Sequence, residues 1–119
     1  MDFSDDELLD ESYVDVELMT KDCINEIRLN MSIAARYEQL AEECTELAHA
    51  ALKKARKIRN ESPTPLDMKE INQKLSEEVS DVELMIDICG LKSSWSIIQQ
   101  KADRCLNRLQ KRTQSNENN

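Results

Sequence analysis

The sequence predicts an all-α domain, on three observations. Glycine occurs once and proline twice in 119 residues, aromatics make up 3% and charged residues 34%. Such a composition favours helices and leaves little material for strands or tight turns. Apolar residues recur at steps of three and four through most of the chain, the period of helices with one buried face. The length is that of one domain with a single core.

Four helical segments follow in order. Residues 1–20 form an acidic arm, expected to be partly mobile, with residues 1–12 frayed and docking through Phe3, Leu8 and Leu9. A helix over 14–30 carries Val14, Leu18, Ile24 and Ile27 on one face, with Met31 following. The helical domain spans 21–112. Its first strong helix covers 32–59, with Ile33, Tyr37, Leu40, Cys44, Leu47, Ala51, Ala55 and Ile58 as the apolar stripe. The loop 60–65 holds both prolines, which oppose helix continuation. Thr64 is the expected N-cap of the next helix, with Pro65 at its first position and Asp67 in its first turn. That helix covers 66–89, with Ile71, Leu75, Val79, Val82, Ile86 and Cys89 as its stripe. Gly90 suits the position after its C-cap. Ser93 or Ser94 caps a last helix over 95–112, striped by Ile98, Ala102, Cys105, Leu106 and Leu109, with Trp95 near its start. The tail 113–119 is polar and expected to be disordered.

Two acidic clusters stand out from this frame. Glu42, Glu43 and Glu46 lie in the first strong helix; Glu77, Glu78 and Asp81 lie in the next. Residues three apart share a helix face, with Cβ atoms roughly 5–6 Å apart. Glu43 with Glu46, and Glu78 with Asp81, therefore each aim two carboxylates one way. Glu43 and Glu78 fall at the margins of the apolar stripes, where a charge costs desolvation unless it is paired or metal-bound. If the helices pack side by side, four carboxylates converge, and like charges that close repel unless a cation neutralises them. The hard cation suited to carboxylate oxygens is Mg²⁺, usually shared with substrate phosphates. Beyond Glu46 the same flank runs through Ala50, Lys54 and Lys57, and the last helix carries Lys101, Arg104 and Arg108 beside its apolar stripe.

Other chemistry is excluded. One glycine cannot build a phosphate-binding loop. The single histidine, His49, falls opposite the apolar stripe, so a nucleophilic triad has nothing to draw on. The net charge of −8 argues against a nucleic-acid binder. No apolar run approaches the roughly 20 residues that cross a bilayer, and no signal peptide is visible. Cys44, Cys89 and Cys105 fall on apolar faces and, without a C-x-x-C pair, read as reduced core residues of a cytoplasmic protein.

The paired acids, E-E-x-x-E followed about 30 residues later by E-E-x-x-D, resemble the all-α nucleoside triphosphate pyrophosphohydrolases of the MazG-like superfamily. YEQLAEECTELAHAALKKARKIR (37–59), the PTP loop, LSEEVSDVELMIDI (75–88) and IIQQKADRCLNRL (97–109) extend the likeness over roughly residues 31–112. Parts of the motif recur in phosphoribosyl-ATP pyrophosphohydrolases and dimeric dUTPases. The resemblance implies a four-helix-bundle-like fold assembling as a dimer or tetramer. It implies Mg²⁺-dependent hydrolysis of (deoxy)nucleoside triphosphates to the monophosphate and pyrophosphate, with Mn²⁺ as an alternative metal. Glu43, Glu46, Glu78 and Asp81 would hold the metal, Glu46 or Glu42 would activate water, and Lys101 and Arg104 would hold phosphates. Lys54 joins these on its place along the acid flank. The competing readings are a phosphoribosyl-ATP pyrophosphohydrolase and a non-catalytic, nucleotide-sensing helical module.

Overall fold

In the computed structural model, which describes residues 4–61 and 66–117, four helices account for nearly all of the chain: α1 (Ser4–Asn30), α2 (Ile33–Arg59), α3 (Met68–Ile88) and α4 (Trp95–Glu117). The two strong helices form as their periodicity predicts, and their ends are set by side chains. Ser32 caps α2, its hydroxyl accepting from the Ala35 backbone N–H at 3.2 Å. Asn60 closes that helix in the left-handed conformation, φ 60°. Arg56, Lys57 and Arg59 crowd the last turn, where cations suit the helix dipole.

Asp67 caps α3 instead of lying in its first turn, accepting from the Glu70 N–H at 2.9 Å; the helix starts at Met68, and the expected roles of Thr64 and Pro65 lie outside the described residues. Gly90 follows the helix with φ 70°, as expected of the lone glycine. Ser94 begins α4 through its backbone carbonyl, which accepts from Ile98 N–H at 2.9 Å.

Both outer helices are longer than their apolar periodicity predicts. α1 begins at Ser4 rather than near 14, and α4 continues to Glu117 rather than ending near 112. Neither extension contains glycine or proline, so nothing in the chain stops helix propagation. In α4 the Thr113 hydroxyl bonds back to Leu109 O at 3.0 Å.

α2 and α3 make an antiparallel hairpin, and α1 packs on α3. At one end of the hairpin Ile24, Met85 and Ile88 are buried together, with Ile27 and Leu40 against them. Arg28 ties α1 to the C-terminus of α3, donating from Nε to Ile88 O at 3.1 Å and from its terminal nitrogen to Asp87 O. Arg36 does the same for the α1–α2 corner, reaching Met31 O at 3.2 Å and Arg28 O.

The interior face matches the predicted stripes in part: Leu40, Leu47 and Ala55 on α2 and Ile71, Leu75, Val82, Ile86 and Cys89 on α3 are buried or half-buried. On α2 it runs through Leu40, Glu43, Leu47 and Ala50, leaving Ile33, Tyr37 and Ile58 exposed. On α3 it runs through Ile71, Glu78, Met85 and Ile88, leaving Val79 exposed. Tyr37 is therefore not core. Of the cysteines, all free, Cys44 and Cys105 are exposed rather than buried, and Cys89 is half-buried. Every residue of α4 is exposed, Trp95 at 85%. α4 thus closes no bundle on the other three helices. The radius of gyration, 20.2 Å, reflects this; a compact domain of this length has about 13–14 Å. Among the described residues no helix is long and apolar enough to cross a membrane.

Candidate metal centre

The hairpin brings Glu43 and Glu46 of α2 to Glu78 and Asp81 of α3. One carboxylate oxygen from each lies within 4.8 Å of the others. Antiparallel packing explains the match: Glu46 meets the level of Glu78, and one turn away Glu43 meets the level of Asp81.

The four acids differ in setting. Glu78 is 3% exposed; among the described residues it is the one charged residue that is buried. Its Oε1 accepts from Lys74 Nζ at 2.8 Å, while its Oε2 is buried without a partner. Glu43 is half-buried; Gln39 Nε2 donates to its Oε1 at 2.8 Å, and its Oε2 is also buried and unpartnered. Glu46 and Asp81 are exposed and form the open side. The charge of Glu43 above all, then that of Glu78, pushes the Glu46 carboxyl above its ordinary range, offset only in part by Lys74. Lys74 is held more basic than usual, first by its hydrogen bond to Glu78 and then by the charge of that group.

A hard divalent cation fits this donor set. Two buried carboxylate oxygens without hydrogen-bond partners are costly in a packed protein and are ready ligands. The repulsion that raises Glu46 is what such a cation relieves.

The remaining predicted residues are placed differently. Glu42 and Glu77 are exposed and stand outside the converging four. Lys101 and Arg104 lie on α4, every residue of which is exposed, and stand outside the converging four. Lys54 is half-buried on α2, and its neighbour Lys53 lines the cavity beside the acids instead. His49, expected to face away, lines that cavity with Glu46. Residue periodicity held the signal for both: 46, 49 and 53 follow i, i+3, i+7. Gln39 was equally readable, one turn before Glu43.

No protein-family model, curated protein or solved structure matches this chain.

Proposed function

We propose that the protein hydrolyses (deoxy)nucleoside triphosphates to the monophosphate and pyrophosphate in a Mg²⁺-dependent reaction. The observation that carries this is the convergence of Glu43, Glu46, Glu78 and Asp81, with two of their oxygens buried and unpaired. The MazG-like pattern of the two acidic motifs points the same way. When bound, Mg²⁺ supplies positive charge that lets an acidic site accept a polyphosphate and stabilises the charge that builds up on it.

The chain's own residues do the rest. Glu43 and Glu78 are fixed ligands, the first oriented by Gln39 and the second held in the packed hairpin. Asp81 and Glu46 complete the set from the open side. Glu46 is the better placed of the two proposed bases, because it belongs to the cluster and is open to water, whereas Glu42 stands outside it. Lys101 and Arg104 reach phosphates only in an oligomer, where α4 of a second copy is brought to the hairpin. We include that homo-oligomer, dimer or tetramer, in the proposal. The exposed apolar residues Ile97, Ile98, Leu106 and Leu109 of α4 support it.

The test is pyrophosphate release from a panel of dNTPs and NTPs, with Mg²⁺ and with EDTA. Release that needs the metal is the expected result. No release from any triphosphate overturns the proposal.

A further inference from the structure

Next to the acids, between the second half of α2 and the start of α3, lies a cavity of about 280 Å³. Glu46 and Glu78 form the wall it shares with the acid cluster. Moving away from that wall, α2 contributes His49, Ala50 and Lys53, and α3 contributes Lys74 and Ile71. Ala50 and Ile71 are buried and make an apolar floor. The rim is cationic. In a chain of net charge −8, two lysines and the only histidine gather beside the four carboxylates.

Lys74 is held at one end only. Its ammonium bonds Glu78 Oε1, yet its side chain is 60% exposed. A lysine head on a flexible four-carbon stem exchanges partners readily. Glu78 thus has a neutralising partner that a divalent cation can displace.

We propose that this cavity receives the diphosphate end of the triphosphate, held by Lys53 and Lys74 with His49 beside them. Lys74 serves Glu78 as counter-ion until the divalent cation takes Glu78, and then turns to the phosphates. The assignment rests on the reaction proposed for the acid cluster and deepens it by naming the residues that hold the departing pyrophosphate. A nucleobase in the same cavity would offer no anion to Lys53, nor to Lys74 once the divalent cation holds Glu78. A diphosphate satisfies both, and cations beside the leaving end stabilise the charge that gathers there.

The test uses the full chain and isothermal calorimetry, with Mg²⁺ alone and then inorganic pyrophosphate in saturating Mg²⁺. Lys74→Gln, at an exposed position, has opposite effects on the two ligands. Mg²⁺ binds several-fold tighter, because Glu78 loses its competitor. Pyrophosphate binds about tenfold or more weaker, because a charged hydrogen bond is lost. Lys53→Gln weakens pyrophosphate alone. If Lys74→Gln leaves pyrophosphate affinity unchanged, or weakens both ligands together, the assignment is wrong. Pyrophosphate that fails to bind the Mg²⁺-loaded wild type overturns it equally. Those results in a protein that binds Mg²⁺ and cleaves dNTPs leave the proposed reaction standing. A wild type that binds no Mg²⁺ removes both.

Discussion

Glu78 concentrates the argument at the scale of single residues. A carboxylate 3% exposed, with only one oxygen paired, is expensive to keep. Glu43 shares the predicament, and Gln39 fixes its other oxygen. Groups that orient a metal ligand typically contribute ~10- to 100-fold to metal affinity. Gln39→Ala is therefore expected to weaken Mg²⁺ binding by about tenfold in calorimetry, with the helices intact by circular dichroism. Unchanged affinity would show that Glu43 needs no such support.

Glu46 gives a pH test. Its carboxyl is raised on folding from an ordinary value of 4.5, chiefly by Glu43 and then by Glu78. A raised carboxyl stabilises the fold while protonated. That contribution is complete below the unfolded value and is lost as the pH climbs through the folded one. In EDTA, Glu46→Gln should therefore gain in Tm on the wild type as the pH rises towards neutrality. Added Mg²⁺ should raise the wild-type Tm and close the gap. A gap that narrows with rising pH in EDTA contradicts the account.

At the scale of elements, the α2–α3 hairpin sets the level of the acids, so its capping and its apolar lock come before the chemistry. Asp67→Ala removes the bond to the Glu70 N–H and is expected to cost about 1 kcal/mol in denaturant unfolding. Ile88, at 2% exposure, is the most buried apolar side chain with Ile71; Ile88→Ala should cost ~2–5 kcal/mol. A loss below 1 kcal/mol would mean that the lock between α1 and α3 is not the core.

The hairpin also shows how far the sequence could be read. The four acids were legible because two i, i+3 pairs on successive helices converge almost whatever the details of packing. The interior face was legible only in part. Leu40, Leu47 and Ala55 on α2 and Ile71, Leu75, Val82, Ile86 and Cys89 on α3 do turn inward, but Tyr37, Ile58 and Val79 from the same stripes are exposed, while Glu43, Ala50 and Glu78 face inward. Periodicity finds an apolar face but not what covers it, and here more than one face competes. His49 is exposed, as its place off the apolar stripe predicts, yet it lines the cavity, because that cavity opens beside the interior face at Ala50. The helices over 14–30 and 95–112 were foreseen, but their extensions to Ser4 and Glu117 were missed, because polar residues without glycine or proline carry helix as readily as they carry a free end.

At the scale of the molecule, α4 is the element without a home. It carries five basic residues against two acidic ones in a chain of net charge −8, and it exposes a row of apolar side chains. A second copy offers both an acidic surface and uncovered apolar faces on α2 and α3. Sedimentation should find the wild type as a dimer or larger. Leu106→Glu, at a position 53% exposed in the single chain, should give a monomer of unchanged helix content and no turnover. A wild type that is monomeric and fully active would remove α4 from the site.

In the proposed reaction the four converging carboxylates carry metal-dependent cleavage of a triphosphate. The decisive comparison is pyrophosphate release from dNTPs in Mg²⁺ between wild type and Glu78→Gln. Gln keeps the shape and removes the charge, so the account predicts a variant that unfolds no earlier than the metal-free wild type and has lost its turnover. Equal turnover in the two proteins would contradict it.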